Sequence, residues 1–472
     1  MATSFRDPAG HVLQVNGRVL RFVNQSGQAD LEAFLNSPTA QRWTAAGSVV
    51  QTRILRDAEL SESERLQRTQ SNAALILEHE RVAFQSFPYE WPPEMLHAAA
   101  ELTLNLAQSL LQDGFGLKDA TPYNILFRGP QPVFVDFLSF EQRDPCDPAW
   151  IAYAQFVRTF MLPLLVNKYH HLPLDQMLLA NRDGLEPEHV YRMSSPVRRM
   201  LPPFLSLVSL PSWLAKEKVT PSGAYAPRRV NSPAKAQFIL NHLFNGLQRK
   251  LRSVSPEKSN KSAWSDYMSK NRYTEDYFPV KQSFVQSALD ECRPARVLDV
   301  GCNTGFFSEL SAGRGASVVA IDSDPIVVGR LWQKARTESL DILPLVVNLA
   351  RPTPSTGWLN AECSSFLDRS RGTFDLVLML AVVHHMLVSE RIPLHSIFEL
   401  ASELTTNFLV IEFVPPDDPM FRQLTRGRDH LHRDLSKDGF EAASQKFFET
   451  IKAVRLGETN RWLYLLRKRV GD

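Results

Sequence analysis

Five short runs of branched apolar residues recur between residues 296 and 413, and helix-length segments separate them. The runs read RVLDV, SVVAI, LPLVV, FDLVLML and NFLVIEF. Runs of this kind at this spacing are typical of βαβ units, whose parallel strands are buried on both faces. Two later runs, KAVRL and RWLYLL, are joined by GETN, which favours a hairpin. The pattern predicts an α/β fold with a mostly parallel seven-stranded sheet that ends in an antiparallel hairpin.

The chain of 472 residues is too long for one ordinary domain. Apolar residues become sparse and serines gather in the stretch QRKLRSVSPEKSNKSAW. This composition predicts a linker over 251–263, between a domain of 1–250 and a domain of 264–472. Its basic residues (Arg249, Lys250, Arg252, Lys258 and Lys261) are compatible with a phosphate-binding strip or a solvated linker, and we favour the linker.

Composition excludes several classes of protein. The chain is 44% hydrophobic and 22% charged, as in soluble globular proteins, and its net charge of +2 gives no field that would recruit nucleic acid. Its four cysteines have no CxxC spacing, which argues against a disulfide framework or a zinc site. No apolar run approaches the roughly 20 residues of a membrane span, and the N-terminus has no signal-peptide core. We therefore expect a cytoplasmic protein.

A glycine-containing loop follows the first of the five strands, in the sequence RVLDVGCNTGFF. Gly301 and Gly305 allow the backbone to turn tightly and to approach a ligand without an intervening Cβ. Asp322 ends the next predicted strand, where an acid can accept both hydroxyls of a ribose. The loop and the acid together predict a site for a nucleoside cofactor.

Both NAD and S-adenosylmethionine are bound by this layout, so the glycines alone do not distinguish them. The dinucleotide fingerprint is G-x-G-x-x-G, with a helix N-terminus directed at a pyrophosphate. Here the spacing is G-x-x-x-G, and Asp299 lies just ahead of it. A carboxylate there would repel a pyrophosphate but could fix the amino or sulfonium end of S-adenosylmethionine.

These residues resemble the motifs of class I S-adenosylmethionine-dependent methyltransferases. DVGCNTG resembles the first motif of that family, and FDLVLMLAVVHHM resembles its fourth-strand motif. The resemblance implies a Rossmann-like domain and S-adenosylmethionine as the methyl donor. The cofactor-binding residues that it implies are Asp299, Gly301, Cys302, Asn303, Gly305, Asp322 and Asn348. The alternative interpretation is a degenerate domain that has lost its ligand.

Methyl transfer requires an oriented acceptor and a group that removes its proton. His384 and His385 follow the fourth strand and should lie at the carboxyl-end edge of the sheet, where ligands bind. Histidine titrates near neutral pH, so one of them is a candidate general base; the alternative is that both only orient the loop. Glu412, at the end of NFLVIEF, is a further candidate catalytic residue at the same edge.

The N-terminal half contains GLKDATPYNILFRGPQPVFVDF, in which Asn124 follows Asp119 by five positions and Asp136 comes after a short strand. Kinase chemistry uses an Asp to accept the hydroxyl proton, then an Asn and a second Asp to hold metal ions. The half resembles the superfamily of protein kinases and aminoglycoside phosphotransferases. The resemblance implies an α+β kinase-like domain and a Mg²⁺ site at Asn124 and Asp136.

One absence argues against phosphate transfer. Residues 1–117 contain no lysine, whereas kinases hold the nucleotide phosphates with a lysine on a strand of this part of the chain. Arg53 is the candidate replacement. We therefore expect a kinase-like domain that serves as a structural or acceptor-docking partner.

As a whole, the chain resembles bacterial proteins in which such a domain precedes a methyltransferase, among them rhizobial nodulation methyltransferase-like proteins. The chain-terminating methyltransferase–kinases of surface polysaccharides have the two domains in the opposite order. Both resemblances imply a small-molecule, glycan or glycolipid acceptor. Two rival hypotheses stay open: a bifunctional kinase–methyltransferase, and a scaffold of two degenerate domains.

Overall fold

The computed structural model describes residues 6–214, 229–256, 274–432 and 434–469. The contacts within the chain divide it into two compact units. The N-terminal unit comprises Met1–Lys258 and Gly357–Cys363, and the C-terminal unit comprises Ser259–Thr356 and Ser364–Asp472. The predicted linker of 251–263 spans this division and stays a prediction, because residues 257–263 lie outside the described residues.

A four-stranded antiparallel sheet begins the N-terminal unit. Its strands, in the order β1-β2-β4-β3, are β1 (Gly10–Val15), β2 (Arg18–Val23), β3 (Thr52–Ile54) and β4 (Leu75–His79). Asn16 and Gly17 both have positive φ angles, which the tight turn between β1 and β2 requires. Leu20, Phe22 and Ile76 are buried on the face of the sheet that packs against its own loops.

Two ribbons of two antiparallel strands follow. The first pairs β5 (Phe115–Leu117) with β8 (Phe140–Gln142), and the second pairs β6 (Ile125–Arg128) with β7 (Gln131–Phe134). Short 3₁₀ turns at Pro122–Asn124 and Phe137–Ser139 connect their ends. The predicted Asn124 and Asp136 therefore lie on adjoining turns.

Helices form the remainder of the N-terminal unit. The longest ones, α4 and α11, pack against each other, and α4 buries eleven of its residues. Together with the sheets they give this unit an α+β architecture; its kinase-like character stays a prediction. The helices are α1 (Gln25–Leu35), α2 (Pro38–Ala45), α3 (Glu62–Ser71), α4 (Pro93–Leu110), α5 (Tyr153–Phe156), α6 (Leu162–His170), α7 (Leu174–Ala180), α8 (Pro187–Met193), α9 (Pro196–Arg199), α10 (Leu210–Leu214) and α11 (Pro233–Ser253).

The C-terminal unit is built on one seven-stranded sheet with the strand order β11-β10-β9-β12-β13-β15-β14. The first five strands in this order are parallel, and β15 is antiparallel to both β13 and β14. The strands are β9 (Arg296–Val300), β10 (Ser317–Asp322), β11 (Ile342–Val346), β12 (Phe374–Met379), β13 (Thr405–Phe413), β14 (Phe448–Arg455) and β15 (Trp462–Lys468). Each predicted run coincides with a strand, so the predicted Rossmann-like sheet and its final hairpin are confirmed.

Helices connect the parallel strands, as buried parallel sheets require. Val297, Ala320, Leu376 and Val410 are buried in the core that the sheet shares with these helices. The helices are α12 (Thr274–Cys292), α13 (Phe306–Ala312), α14 (Pro325–Glu338), α15 (Phe366–Ser370), α16 (Val383–Val388), α17 (Leu394–Leu404), α18 (Pro419–Thr425) and α19 (Lys437–Gln445). In the part of the chain that the structure describes, none of the helices is both long and apolar enough to cross a membrane.

Candidate active site

The loop between β9 and α13 owes its shape to the two predicted glycines. Gly301 and Gly305 have φ angles of +70° and +89°. A Cβ at Gly301 would lie 2.4 Å from Cγ2 of Val382, and a Cβ at Gly305 would lie 2.2 Å from Cδ1 of Leu331. Both the backbone conformation and the close packing therefore require glycine.

Asp322, at the end of β10, is hydrogen-bonded to this loop. Its Oδ2 accepts the backbone N–H of Asn303 at 3.0 Å, and its Oδ1 accepts the N–H of Asp324 at 3.0 Å. Burial raises the pKa of Asp322, while these two N–H groups and the backbone N–H of Ser323 act in the opposite direction. Asp322 stays partly exposed at this edge of the sheet, where ligands bind in open α/β folds.

Asp299 lies inside the sheet, one residue before the end of β9, and only 2% of its surface is exposed. Its Oδ2 accepts the hydroxyl of Ser308 at 2.6 Å. Burial raises the pKa of Asp299 to about 6, although this hydrogen bond and the charge of Lys281 favour the ionised form. A cationic ligand beside Asp299 would stabilise its charge further.

The other predicted cofactor residues lie in the same loops. Asn303 has a left-handed backbone, and its Oδ1 accepts the N–H of Thr304 at 2.7 Å. Cys302 is buried, and burial raises the pKa of its thiol. Asn348 follows β11, and its Oδ1 accepts the N–H of Ala350 at 2.9 Å.

The two predicted histidines lie in the first turn of α16, which follows the short loop after the carboxyl end of β12. His384 is only 3% exposed, and its ring lies 4.3 Å from that of His385, measured between centroids. Burial, His385 and the charges of Arg461 and Lys281 hold the pKa of His384 well below its ordinary value. Burial also lowers the pKa of His385. Nδ1 of His384 is buried and has no hydrogen-bond partner among the described residues.

Glu412, the third candidate catalytic residue, is fully buried at the end of β13. Its Oε2 accepts Nζ of Lys281 at 2.7 Å, and its Oε1 accepts Nη1 of Arg461 at 3.2 Å. Burial alone would raise the pKa of Glu412, but the charges of these two cations outweigh burial and lower the pKa. These ion pairs favour a structural role for Glu412 over that of a proton acceptor.

Arg461 extends the ion-pair network beyond Glu412. Its Nε and Nη2 donate to both carboxylate oxygens of Asp418, at 2.7 and 2.9 Å. We name the four residues Lys281, Glu412, Arg461 and Asp418 the buried ion-pair cluster. It joins α12, the end of β13, the start of α18 and the turn before β15.

Sequence reasoning missed Lys281, Arg461 and Asp418. One signal for Lys281 was present, because it occupies the apolar face of α12 together with the buried residues Tyr277 and Phe284. A lysine on a buried helix face indicates a carboxylate partner. The partner itself is 131 residues away in sequence, so the pairing is visible only in the fold.

The predicted polar residues of the N-terminal unit also come together. Ser139 donates its hydroxyl to Oδ2 of Asp136 at 2.6 Å and accepts Nδ2 of Asn124 at 3.0 Å. Burial raises the pKa of Asp119, and the charge of Asp136 adds to this rise. The residues of the motif therefore form one cluster.

An arginine from β2 is bound to this cluster. Nη1 of Arg21 donates to Oδ1 of Asp136 at 2.8 Å, and Nε of Arg21 donates to His79 at 3.1 Å. Arg53, the predicted replacement for a lysine, instead pairs with Glu59 and Glu78. Among the described residues, no group of three or more His, Cys, Asp or Glu side chains has an arrangement that would hold a metal ion. The predicted Mg²⁺ site at Asn124 and Asp136 is therefore not supported by the described residues.

The comparison with protein families agrees with the C-terminal site. Residues 273–425 match the family model described as a methyltransferase domain. This match and the sheet topology define the class of the C-terminal unit, which contains a methyltransferase domain with the fold that binds S-adenosylmethionine.

Among individual relatives, the protein described as nodulation protein NoeA of Rhizobium meliloti (strain 1021) is 28% identical over 474 aligned residues. The alignment covers 99% of this chain and 96% of that protein. The ubiquinone biosynthesis O-methyltransferase of Idiomarina loihiensis is 25% identical over 142 residues, which cover 29% of this chain and 52% of that enzyme.

Two solved structures are also similar to this chain. The N-methyltransferase NodS from Bradyrhizobium japonicum WM9 has 16% identity and a TM-score of 0.30, and the match covers 41% of this chain and 96% of NodS. The protein WbdD has 19% identity and a TM-score of 0.31, and the match covers 46% of each chain.

Proposed function

We propose that the loop 301–305 and Asp322 hold S-adenosylmethionine, and that the enzyme methylates a small acceptor at the neighbouring edge of the sheet. The observation that carries the proposal is the position of Asp322. Its carboxylate accepts backbone N–H groups of the glycine-containing loop and of its own turn, and it stays partly exposed at the carboxyl end of β10. A carboxylate in this position can accept both hydroxyls of a ribose.

The remaining residues fit the other parts of this cofactor. S-adenosylmethionine, when bound, supplies a methyl group on a positively charged sulfur. Burial disfavours the charge of Asp299. The positively charged methionine end of the bound cofactor would stabilise this carboxylate. The two glycines let the backbone at Cys302 and Asn303 approach the ligand. The Oδ1 of Asn348 is bonded to Ala350, which leaves the amide Nδ2 as a donor toward the adenine.

For proton removal we propose a histidine of the pair His384–His385. Both begin the helix that follows the central strand β12, and reactive groups in open α/β sheets gather at this edge. Glu412 is the weaker candidate, since two cations already bind its carboxylate.

For the acceptor we propose a glycan or glycolipid, including acceptors of the nodulation-factor type. The support is the likeness over the full chain to a protein described as a nodulation protein. Fold alone would not select this class, because one fold serves many substrates.

For the N-terminal unit we propose a kinase-like fold with a structural or acceptor-docking role. Asp136, the residue that would hold metal ions in a kinase, has both oxygens hydrogen-bonded within the chain. We therefore favour this role over that of a bifunctional kinase–methyltransferase.

Calorimetry with S-adenosylmethionine tests the cofactor site. Asp322→Ala should weaken binding by about 1.5–3 kcal/mol, the usual cost of losing hydrogen bonds to a charged group, or roughly 10- to 150-fold. Asp341→Ala, which changes an exposed acid ahead of β11, is the matched control and should bind like wild type. Unchanged affinity in a folded Asp322→Ala variant would contradict the proposal.

A further inference from the structure

We propose that Nδ1 of His384 is the hydrogen-bond acceptor of a subsite for a neutral hydroxyl, so that the enzyme methylates an alcohol oxygen rather than an amine or an acid. This inference rests on the proposed function and specifies the acceptor chemistry of the same site.

The first observation is the buried Nδ1 atom itself. His384 is 3% exposed, and its Nδ1 has no hydrogen-bond partner among the described residues. A buried polar atom without a partner costs free energy, so native structures contain few of them, and water or a ligand supplies the partner at many such positions. The position of His384 at the carboxyl end of β12, where ligands bind in this fold, indicates that the acceptor supplies it.

The second observation concerns the protonation of the ring. Burial holds the pKa of His384 well below its ordinary value, and His385 and the positive charges of Arg461 and Lys281 add to this effect. The imidazole is therefore neutral at neutral pH. In a neutral imidazole one ring nitrogen carries no proton and accepts a hydrogen bond.

The third observation is the charge balance of the buried ion-pair cluster. Its two cations, Lys281 and Arg461, are each paired with a carboxylate of Glu412 or Asp418. The cluster therefore attracts neither an anion nor a cation by net charge. An ammonium group that entered would also need desolvation, and both carboxylates of the cluster are already paired.

These observations together select a group that donates a hydrogen bond and carries no charge. An alcohol satisfies both conditions. An ordinary aliphatic amine is protonated at neutral pH, and a carboxylic acid is ionised, so neither fits a neutral cluster beside a neutral imidazole. The amine of an amino sugar is less basic, which is why the test below includes one. Glycans are rich in alcohols, which agrees with the proposed acceptor class.

Methylation of this hydroxyl forms a C–O bond while the C–S bond of the donor breaks and its electron pair stays on sulfur. The hydroxyl proton passes along the existing hydrogen bond to Nδ1 of His384. The oxygen loses its proton only as it gains the methyl group, when it is far more acidic than a free alcohol. A weakly basic imidazole is therefore sufficient, and the proton then leaves to water.

The test uses the full chain, methyl-labelled S-adenosylmethionine and two probes. An oligomer of N-acetylglucosamine offers hydroxyls and no free amine, whereas an oligomer of glucosamine offers both groups. Mass spectrometry should locate the label on oxygen with both probes. Label on the nitrogen of the glucosamine probe would overturn this inference, although the proposed methyltransferase activity would still hold.

Two variants test the role of Nδ1. In His384→Asn the side-chain Oδ1 takes the place of Nδ1 as an acceptor, whereas His384→Leu removes the acceptor. We expect the Leu variant to lose roughly 10²–10⁴-fold in kcat/KM and the Asn variant to recover a substantial part of that loss. His395→Asn, on the exposed surface of α17, is the control and should leave turnover unchanged.

A measurement without turnover keeps the inference testable if a variant fails to fold. In histidine-labelled wild-type protein, NMR should show Nδ1 of His384 without a proton, and its resonance should shift when the N-acetylglucosamine oligomer is added. The inference would be overturned if no label appeared on either probe and this resonance did not shift. Calorimetry with S-adenosylmethionine reports separately on the proposed function.

Discussion

Each unit of this protein contains a buried polar cluster, and the two clusters differ in how completely their hydrogen bonds are satisfied. In the N-terminal unit, the carboxylate of Asp136 is paired with the guanidinium of Arg21 and also accepts the hydroxyl of Ser139. In the C-terminal unit, the carboxylate of Asp322 accepts neutral backbone N–H groups, and Nδ1 of His384 has no partner among the described residues. A binding site leaves groups for its ligand to satisfy, because a buried group without any partner is costly. Between these two clusters, the contrast supports our proposal that the ligand binds in the C-terminal unit.

The largest expected difference between the two clusters is in phosphate transfer, which can be assayed directly. We expect that ATP labelled in its terminal phosphate, with Mg²⁺ and cell-derived glycan, leaves no label on acceptor or protein. Arg21 already binds the carboxylate that would hold metal ions, and residues 1–117 contain no lysine for the phosphates. The same preparation should transfer a labelled methyl group. Label from ATP that disappears in Asp136→Ala would show that both clusters are catalytic.

The second prediction concerns the stability of the buried ion-pair cluster. Glu412→Gln leaves Lys281 and Arg461 without their shared carboxylate, and breaking such a buried pair costs about 3–5 kcal/mol. The unfolding transition of the C-terminal unit, followed in urea, should move to clearly lower denaturant.

Glu309→Gln is the matched control in the same unit, because the pair Lys334–Glu309 lies at the surface. Its midpoint should stay close to that of wild type, as for most exposed ion pairs. Equal midpoints for Glu412→Gln and wild type would mean that the cluster does not stabilise the folded state.

The smallest expected effect is the pH dependence of stability that the buried Asp299 causes. Its pKa rises from an ordinary value of 3.8 to about 6, so below pH 3.8 the carboxyl is neutral in both folded and unfolded chains. As the pH rises through about 6, the folded chain must ionise a buried carboxyl, and stability falls by up to ~3 kcal/mol.

Asp299→Asn removes this titration. The variant should therefore be more stable than wild type at pH 7.5, by at most ~3 kcal/mol, and similar to wild type near pH 4. Its affinity for S-adenosylmethionine should nevertheless fall. Urea unfolding of ligand-free protein at the two pH values and calorimetry at pH 7.5 check both parts, with the exposed Asp290→Asn as control. A variant less stable at pH 7.5 would contradict the assigned burial cost.

Much of the C-terminal unit was predictable, because its signals are local. The run RVLDV coincides with β9, and the glycines at 301 and 305 do adopt the left-handed backbone that the loop needs. The position of Asp322 at the end of β10 also followed from the strand pattern. Helix and strand periodicity depends on neighbours in sequence, so these features can be predicted without knowledge of the fold.

The roles of individual polar residues were less predictable. Glu412 was expected from its position to be a possible proton acceptor, but the tertiary fold surrounds it with two cations. Arg53 was the expected substitute for a lysine, whereas Arg21 is the arginine that contacts Asp136. In both cases the partner lies on a distant segment of the chain, and charge pairing is decided by which segments meet.

The positions of the strands, of the glycine-containing loop and of the candidate cofactor-binding acids follow from the amino-acid sequence, since each depends on a short stretch of residues. Which polar groups pair with one another follows from the three-dimensional fold. Lys281, Glu412 and Arg461 lie far apart in sequence and meet because α12, β13 and the turn before β15 pack together. Burial in that packing lowers the pKa of His384 and leaves its Nδ1 without a partner among the described residues. Burial and pairing depend on the three-dimensional environment of a group, and a linear pattern does not contain them.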